Sequence, residues 1–257
     1  MNFLAAVGRV FLAFLEATGR LAVFTGAAVS YCITPPLYPR QILRQMVDIG
    51  YYSLPVVGLT AAFTGMVLAL QSYTGFSRFE AESAIATVVV LSMTRELGPV
   101  MAGLMVAGRI GAAMAAEIGT MRVTEQIDAL TTLSTNPMRY LVAPRLIAGL
   151  VTLPLLVIVA DIIGVFGGFG VSVYKLGFNP AGYLKNTFDY LETQDVVTGL
   201  VKACVFGFII ALMGCYNGYN SRRGAEGVGS ATTAAVVSAS VLILSFNYVI
   251  TELFFSR

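Results

Sequence analysis

Apolar positions along this chain do not alternate; they run. Five stretches carry almost no charge: Ile49 to Ser77, Ser83 to Gly108, Leu146 to Tyr174, Val196 to Tyr219 and Ala231 to Thr251. Each exceeds the roughly 20 residues that carry a helix through about 30 Å of hydrocarbon. Lipid offers backbone N–H and C=O groups no partner, so each span is predicted helical. The spans are placed at about Ser53–Thr74, Ala84–Gly111, Leu146–Tyr174, Val196–Tyr219 and Ala231–Thr251. The expected fold class is all-α: a polytopic membrane protein with five transmembrane helices, residues 1–257 forming one domain.

The segment before the first span reads differently. Phe3, Leu4, Val7, Phe11, Phe14 and Leu15 fall near one helical face, with Arg9, Glu16 and Arg20 outside it. Such a helix lies in the membrane interface. Leu21 to Thr34 is apolar but only about 21 Å long as a helix before Pro35-Pro36, so it is expected to be interfacial or re-entrant. Residues 1–45 are thus an N-terminal interfacial segment and 46–257 the five-span core. Charges at Arg9, Glu16 and Arg20 also argue against a cleavable signal peptide.

Composition sharpens the class. The chain is 57% hydrophobic and 12% charged, with mean hydropathy +0.79. A net charge of +2 gives no electrostatic footprint for nucleic acid. Histidine is absent, and Cys32, Cys204 and Cys215 share no ligand spacing, so no metal site is expected. With the N-terminus inside, the cytoplasmic segments hold Arg9, Arg20, Arg40, Arg44, Arg109, Arg122, Arg139, Arg145, Arg222 and Arg223. The opposite side holds only Arg78, Lys175, Lys185 and Arg257. That bias puts the N-terminus in the cytoplasm and the C-terminus outside.

The chemistry sits where charge interrupts the runs. Arg95-Glu96 lies mid-span, and an ion at that depth costs at least about 2.5 kcal/mol on insertion scales. Neighbours on a helix point about 100° apart, so one side chain is expected to line a polar cavity while the other reaches a neighbouring helix. The guanidinium fork suits a phosphate or carboxylate head group, although a purely structural bridge is an equal reading. Asp161 and Lys202 are lone opposite charges in consecutive antiparallel spans and are expected to pair. Gly103, Ala107, Gly111, Ala115 and Gly119 form a ridge of small residues at every fourth position, with Gly108, Ala112 and Ala116 beside it; Gly164, Gly167, Gly168 and Gly170 add another set. They fit either intrachain packing or a dimer seam. The inside connection Glu117 to Leu133 reads as one amphipathic helix, ended by Asn136-Pro137. No G-x-x-x-x-G-K-[ST] occurs, so ATP-driven work needs another subunit.

The run Leu91-Ser-Met-Thr-Arg-Glu-Leu-Gly-Pro-Val100, then Ala107-Gly-Arg109, then Ala116-Glu-Ile-Gly-Thr-Met-Arg-Val-Thr-Glu-Gln-Ile-Asp-Ala-Leu130 and Asn136-Pro137, resembles the MlaE/YrbE permease family. So do Phe206 to Gly218 and Val228-Gly-Ser-Ala-Thr-Thr233. The resemblance implies the transmembrane subunit of an ABC transporter carrying phospholipids between bacterial inner and outer membranes. It implies a homodimer in the inner membrane, a cytoplasmic ATPase subunit, a periplasmic MCE-domain ring, an attached STAS-domain protein, and no cofactor on this chain. It places Arg95, Glu96 and Leu97 at the lipid cavity, with Phe76 and Phe79 as apolar wall. It makes the segment at about 117–133 a coupling helix, with Glu117, Arg122, Glu125, Gln126, Asp128 and Leu130 toward the ATPase.

Three rivals compete. A secondary transporter predicts internal repeats and an ion path; no repeat is visible and only the Asp161–Lys202 pair suggests a path. A membrane enzyme needs a catalytic constellation, and none stands out. A structural anchor for a periplasmic lipid-binding ring predicts that Arg95 is dispensable.

Overall fold

A computed structural model describes residues 3–77 and 84–255 of the chain. It is helical throughout, with no strand among the described residues. Helix α1 spans Phe3–Ile33, α2 Pro39–Ile49 and α3 Leu54–Phe76. The second expected span is a single rod over residues 84–123. It comprises α4 (Ala84–Ser92), α5 (Gly98–Val106) and α6 (Ala112–Val123), joined by π-helical turns at Met93–Leu97 and Ala107–Gly111. After α7 (Gln126–Thr132), a third π turn at Met138–Val142 leads into α8 (Ala143–Tyr174). Then follow α9 (Pro180–Asp189), α10 (Thr193–Tyr219) and α11 (Ala225–Phe255).

Among the described residues, six helical stretches are long and apolar enough to cross a membrane by length and composition. Five are the expected spans. The sixth is Phe11–Ile33, because α1 runs unbroken through the junction expected near Arg20. Thr25 Oγ1 donates to the Leu21 carbonyl, and an Arg20–Glu16 ion pair at 2.9 Å bridges one exposed turn. The helix ends just before Pro35-Pro36, as expected of a residue pair that cannot continue it. Phe11, Leu12, Phe14 and Leu15 are all exposed.

The bundle is built around α10, whose span is the most buried. Small residues set the spacing. A Cβ on Gly65 of α3 would overlap the Gly164 carbonyl of α8, and one on Gly207 of α10 would overlap the Gly149 carbonyl of α8. Main chain therefore meets main chain along both faces of α8. The ridge on the second span faces inward: Gly214 and Gly218 of α10 approach the Gly111 and Ala115 carbonyls at 3.1 and 2.9 Å from where a Cβ would sit. Intrachain packing thus accounts for it, while Gly108 faces open space. Outward stripes such as Val56, Leu59, Phe63 and Val67 on α3 are exposed, as lipid-facing positions should be.

The segment at 117–133 is not one helix. Residues to Val123 extend the membrane rod, and Glu125 breaks it in a left-handed conformation (φ 60°) before the short α7. Glu117 therefore belongs to α6, not to the connecting helix.

Candidate functional site

Arg95-Glu96 sits in the π turn Met93–Leu97, closed by the Gly98 N–H donating to the Met93 carbonyl five residues back. Pro99 has no N–H to offer the Arg95 carbonyl, four residues before it. A side chain from another helix fills that vacancy: Lys202 Nζ on α10 donates to Arg95 O at 2.9 Å. The same ammonium donates to Thr251 Oγ1 at 2.8 Å and pairs with Glu96 Oε1 at 2.7 Å. Glu96 also accepts from Asn247 Nδ2 and Thr251 Oγ1 of α11, each at 2.9 Å. Lys202 is fully buried, and its three donors have three acceptors.

Arg95 is held from the same face of α10. Its Nε donates to Asp195 Oδ1 at 2.6 Å. Asp195 and Lys202 are seven residues apart, two helical turns, so their side chains stack on one stripe. Asp195 is buried, and its Oδ2 also accepts from the Glu192 N–H, part of a reciprocal cap that starts α10. Gly199, between them, lets α10 press against the Thr94 carbonyl. Two positive and two negative charges thus close into a neutral group between the second span and the first turns of α10, which offsets the cost of burying them. Arg95 keeps 33% of its side-chain surface exposed, whereas Asp195 keeps 1%.

The expected Asp161–Lys202 pair is not formed. Asp161 points at Gly98 from the other side of the second span, occupying the space a Cβ on Gly98 would need. Its Oδ1 is buried without a hydrogen bond. The rod carrying Arg95-Glu96 lies between α8 and α10 here, although the two helices touch at Gly149–Gly207, about 18 Å earlier along α8.

Of the other positions singled out, Leu97 and Phe76 are half-buried against the core. Leu97 lines a small apolar cavity with Thr60, Thr64 and Met101. Phe79 lies outside the described residues. On the connecting segment, Glu125, Gln126 and Asp128 are exposed while Ile127 is buried and Leu130 half-buried. Arg122 pairs with Asp128 at 2.9 Å, and Glu117 pairs with the buried Arg145 at 2.8 Å. Sequence reasoning missed Asp195, Asn247 and Thr251. Asp195 fell one residue before the assigned span, but its spacing of seven from Lys202 was a usable signal.

Comparisons with known proteins agree with the motifs. The family profile described as "Permease MlaE" matches residues 42–253. A "Probable ABC transporter permease protein" of Rickettsia felis is 63% identical over 255 residues, 99% of this chain and 98% of its own length. The "Intermembrane phospholipid transport system permease protein MlaE" of Haemophilus influenzae is 35% identical over 259 residues, 99% and 98% of the two chains. The chloroplastic "Protein TRIGALACTOSYLDIACYLGLYCEROL 1" of Arabidopsis thaliana is 35% identical over 233 residues, 91% of this chain and 67% of its own length. With most of its spans inside the matched region and a relative matched nearly end to end, this chain belongs to the MlaE permease family of ABC transporters.

Proposed function

We propose that the chain is the inner-membrane permease subunit that moves phospholipids between the inner and outer membranes of a bacterium. It works as a homodimer. Its motor is a cytoplasmic ABC ATPase, with a STAS-domain protein attached, and lipid is exchanged with a periplasmic MCE-domain ring. The relationship to a phospholipid-transport permease along nearly the whole chain supports this reading. So does the observation that carries it: a guanidinium on the second span, fixed at the start of α10 by a buried carboxylate yet still one-third exposed. A phospholipid phosphate is the anion that a bilayer supplies, and a pre-oriented guanidinium binds it without first having to be ordered.

Force enters at α7. Ile127 anchors the helix, leaving Glu125, Gln126 and Asp128 outward toward an ATPase groove. ATP drives the cycle only through its differential affinity for two arrangements of the dimer. Closure of the motor pushes α7 and, through the Arg122–Asp128 contact, the α4–α6 rod that carries Arg95.

Removing Arg95 alone leaves Asp195 buried as an unpaired ion, so the test uses the double variant Arg95→Gln, Asp195→Asn, which keeps the group neutral. The complex should still assemble, while lipid counted by mass spectrometry and flux between vesicles both fall about tenfold, the loss of one charge-assisted contact. Wild-type occupancy and flux would remove Arg95 from lipid handling and favour the anchor reading.

A further inference from the structure

A polar cavity lies apart from the Arg95 cluster and faces the end of the bundle where the connecting helix α7 lies. It occupies about 170 Å³ between α2, α6 and α8. Liquid water takes about 30 Å³ per molecule, so the space holds a group the size of a phosphate and its first attachments. Gln41, Arg44 and Gln45 line it from α2, Glu117 from α6, Tyr140 from the π turn before α8 and Arg145 from the start of α8.

Arg145 makes this more than a crevice. Its side chain is 3% exposed, Nη2 pairs with Glu117 at 2.8 Å and Nη1 donates to the Leu141 carbonyl at 2.9 Å. Its Nε is buried with no acceptor. Arg145 lines the cavity, so this unpaired donor lies just behind its wall, within a side-chain rotation of an oxyanion held there. Arg44 brings a further positive charge, while the charge of Arg145 is already matched by Glu117.

The surroundings fix the depth. Helix α2 is amphipathic, exposing Leu43 and Val47 between its arginines and glutamines. Tyr38 and Tyr140 stack edge to face at 5.2 Å, Gln41 Nε2 donates to the Tyr140 hydroxyl at 2.8 Å, and Arg139 covers the Tyr31 ring at 5.3 Å. Tyrosines and arginines gathered beside an amphipathic helix mark the head-group layer of a bilayer.

We infer that this cavity binds the phosphate head group of a phospholipid in the leaflet on the α7 side, through Arg44, Arg145 Nε and the Gln41 and Gln45 amides, with acyl chains lying along Leu43 and Val47. The bound head group ties α2 to the α6–α8 junction. The site stands apart from the Arg95 cluster, and its occupancy is read independently of transport.

The test uses the full-length protein, delipidated in detergent and melted with a thiol-reactive dye that reports exposure of its cysteines. Titrated dihexanoyl phosphatidylglycerol should raise the melting midpoint. In Arg44→Ala the half-saturating concentration should rise about tenfold, the loss of one charged contact, and Arg44→Lys should recover part of it. Dihexanoylglycerol, which lacks phosphate, and inorganic phosphate, which lacks chains, should each leave the midpoint unchanged. An equal curve in Arg44→Ala overturns the site. An equal shift from inorganic phosphate makes it a soluble-anion site, and one from dihexanoylglycerol makes it an apolar contact; either overturns the lipid assignment. A photo-crosslinker at position 45 that captures protein rather than lipid in cells would hand the cavity to a partner subunit.

Discussion

Replacing Lys202 with methionine preserves much of its buried volume and removes one charge from the four-charge group. Glu96 would then keep only the Asn247 and Thr251 donors, and the Arg95 carbonyl, which Pro99 cannot serve, would lose Lys202. Leaving a buried ion uncompensated costs about 3–5 kcal/mol. Because the Glu96 side chain is 36% exposed, the lower end applies, about 3 kcal/mol. Glu96→Gln alone strands the fully buried ammonium and should lose a similar amount. The double variant Lys202→Met, Glu96→Gln contains neither stranded ion and should be no worse than either single, giving a coupling of about 3 kcal/mol. Unfolding in mixed micelles titrated with denaturing detergent, followed by helical circular dichroism, measures all four corners. Additive losses, with the double about twice as damaging as each single, would refute the reasoning, because Lys202 and Glu96 would then not be each other's counter-ion.

Asp161→Asn should leave stability within about 0.5 kcal/mol or raise it, since no ion pair is lost; a loss of several kcal/mol in a thermal melt would restore Lys202 as its partner. Gly98→Ala should destabilise the protein, because Asp161 occupies the space of the new methyl, and Asp161→Gly should recover part of the loss in the same melt. Glu125→Lys with Asp128→Lys should abolish stimulated ATP hydrolysis in the purified complex while leaving the permease folded, because both side chains are exposed and the Arg122–Asp128 contact is worth only about 0.2–1 kcal/mol. Unchanged hydrolysis would move the motor contact away from α7.

The spans were legible because hydrocarbon imposes one backbone solution and long apolar runs announce it. The family motif was legible because it is local. Pairing was not. Asp161 and Lys202 looked like partners when the spans were taken in chain order, yet the rod between them decides which carboxylate Lys202 meets. Asp195 hid at a boundary, where a residue is assigned to a loop although its side chain is buried. The Glu125 break was hidden too: amphipathic spacing continues across it, and a left-handed glutamate carries no sequence mark as glycine would. The unbroken α1 shows the opposite case, where a polar turn at Glu16–Arg20 suggested an end and instead carries an ion pair along the same helix.

The bare seams on either side of α8 set what kind of movement this architecture favours. Where glycine backbones meet directly, fewer side chains have to leave one well for another, so a small glide meets less resistance than across fully interdigitated side chains. Because α8 bears such a seam toward α3 and another toward α10, it is the rail along which the two halves of the subunit can shear.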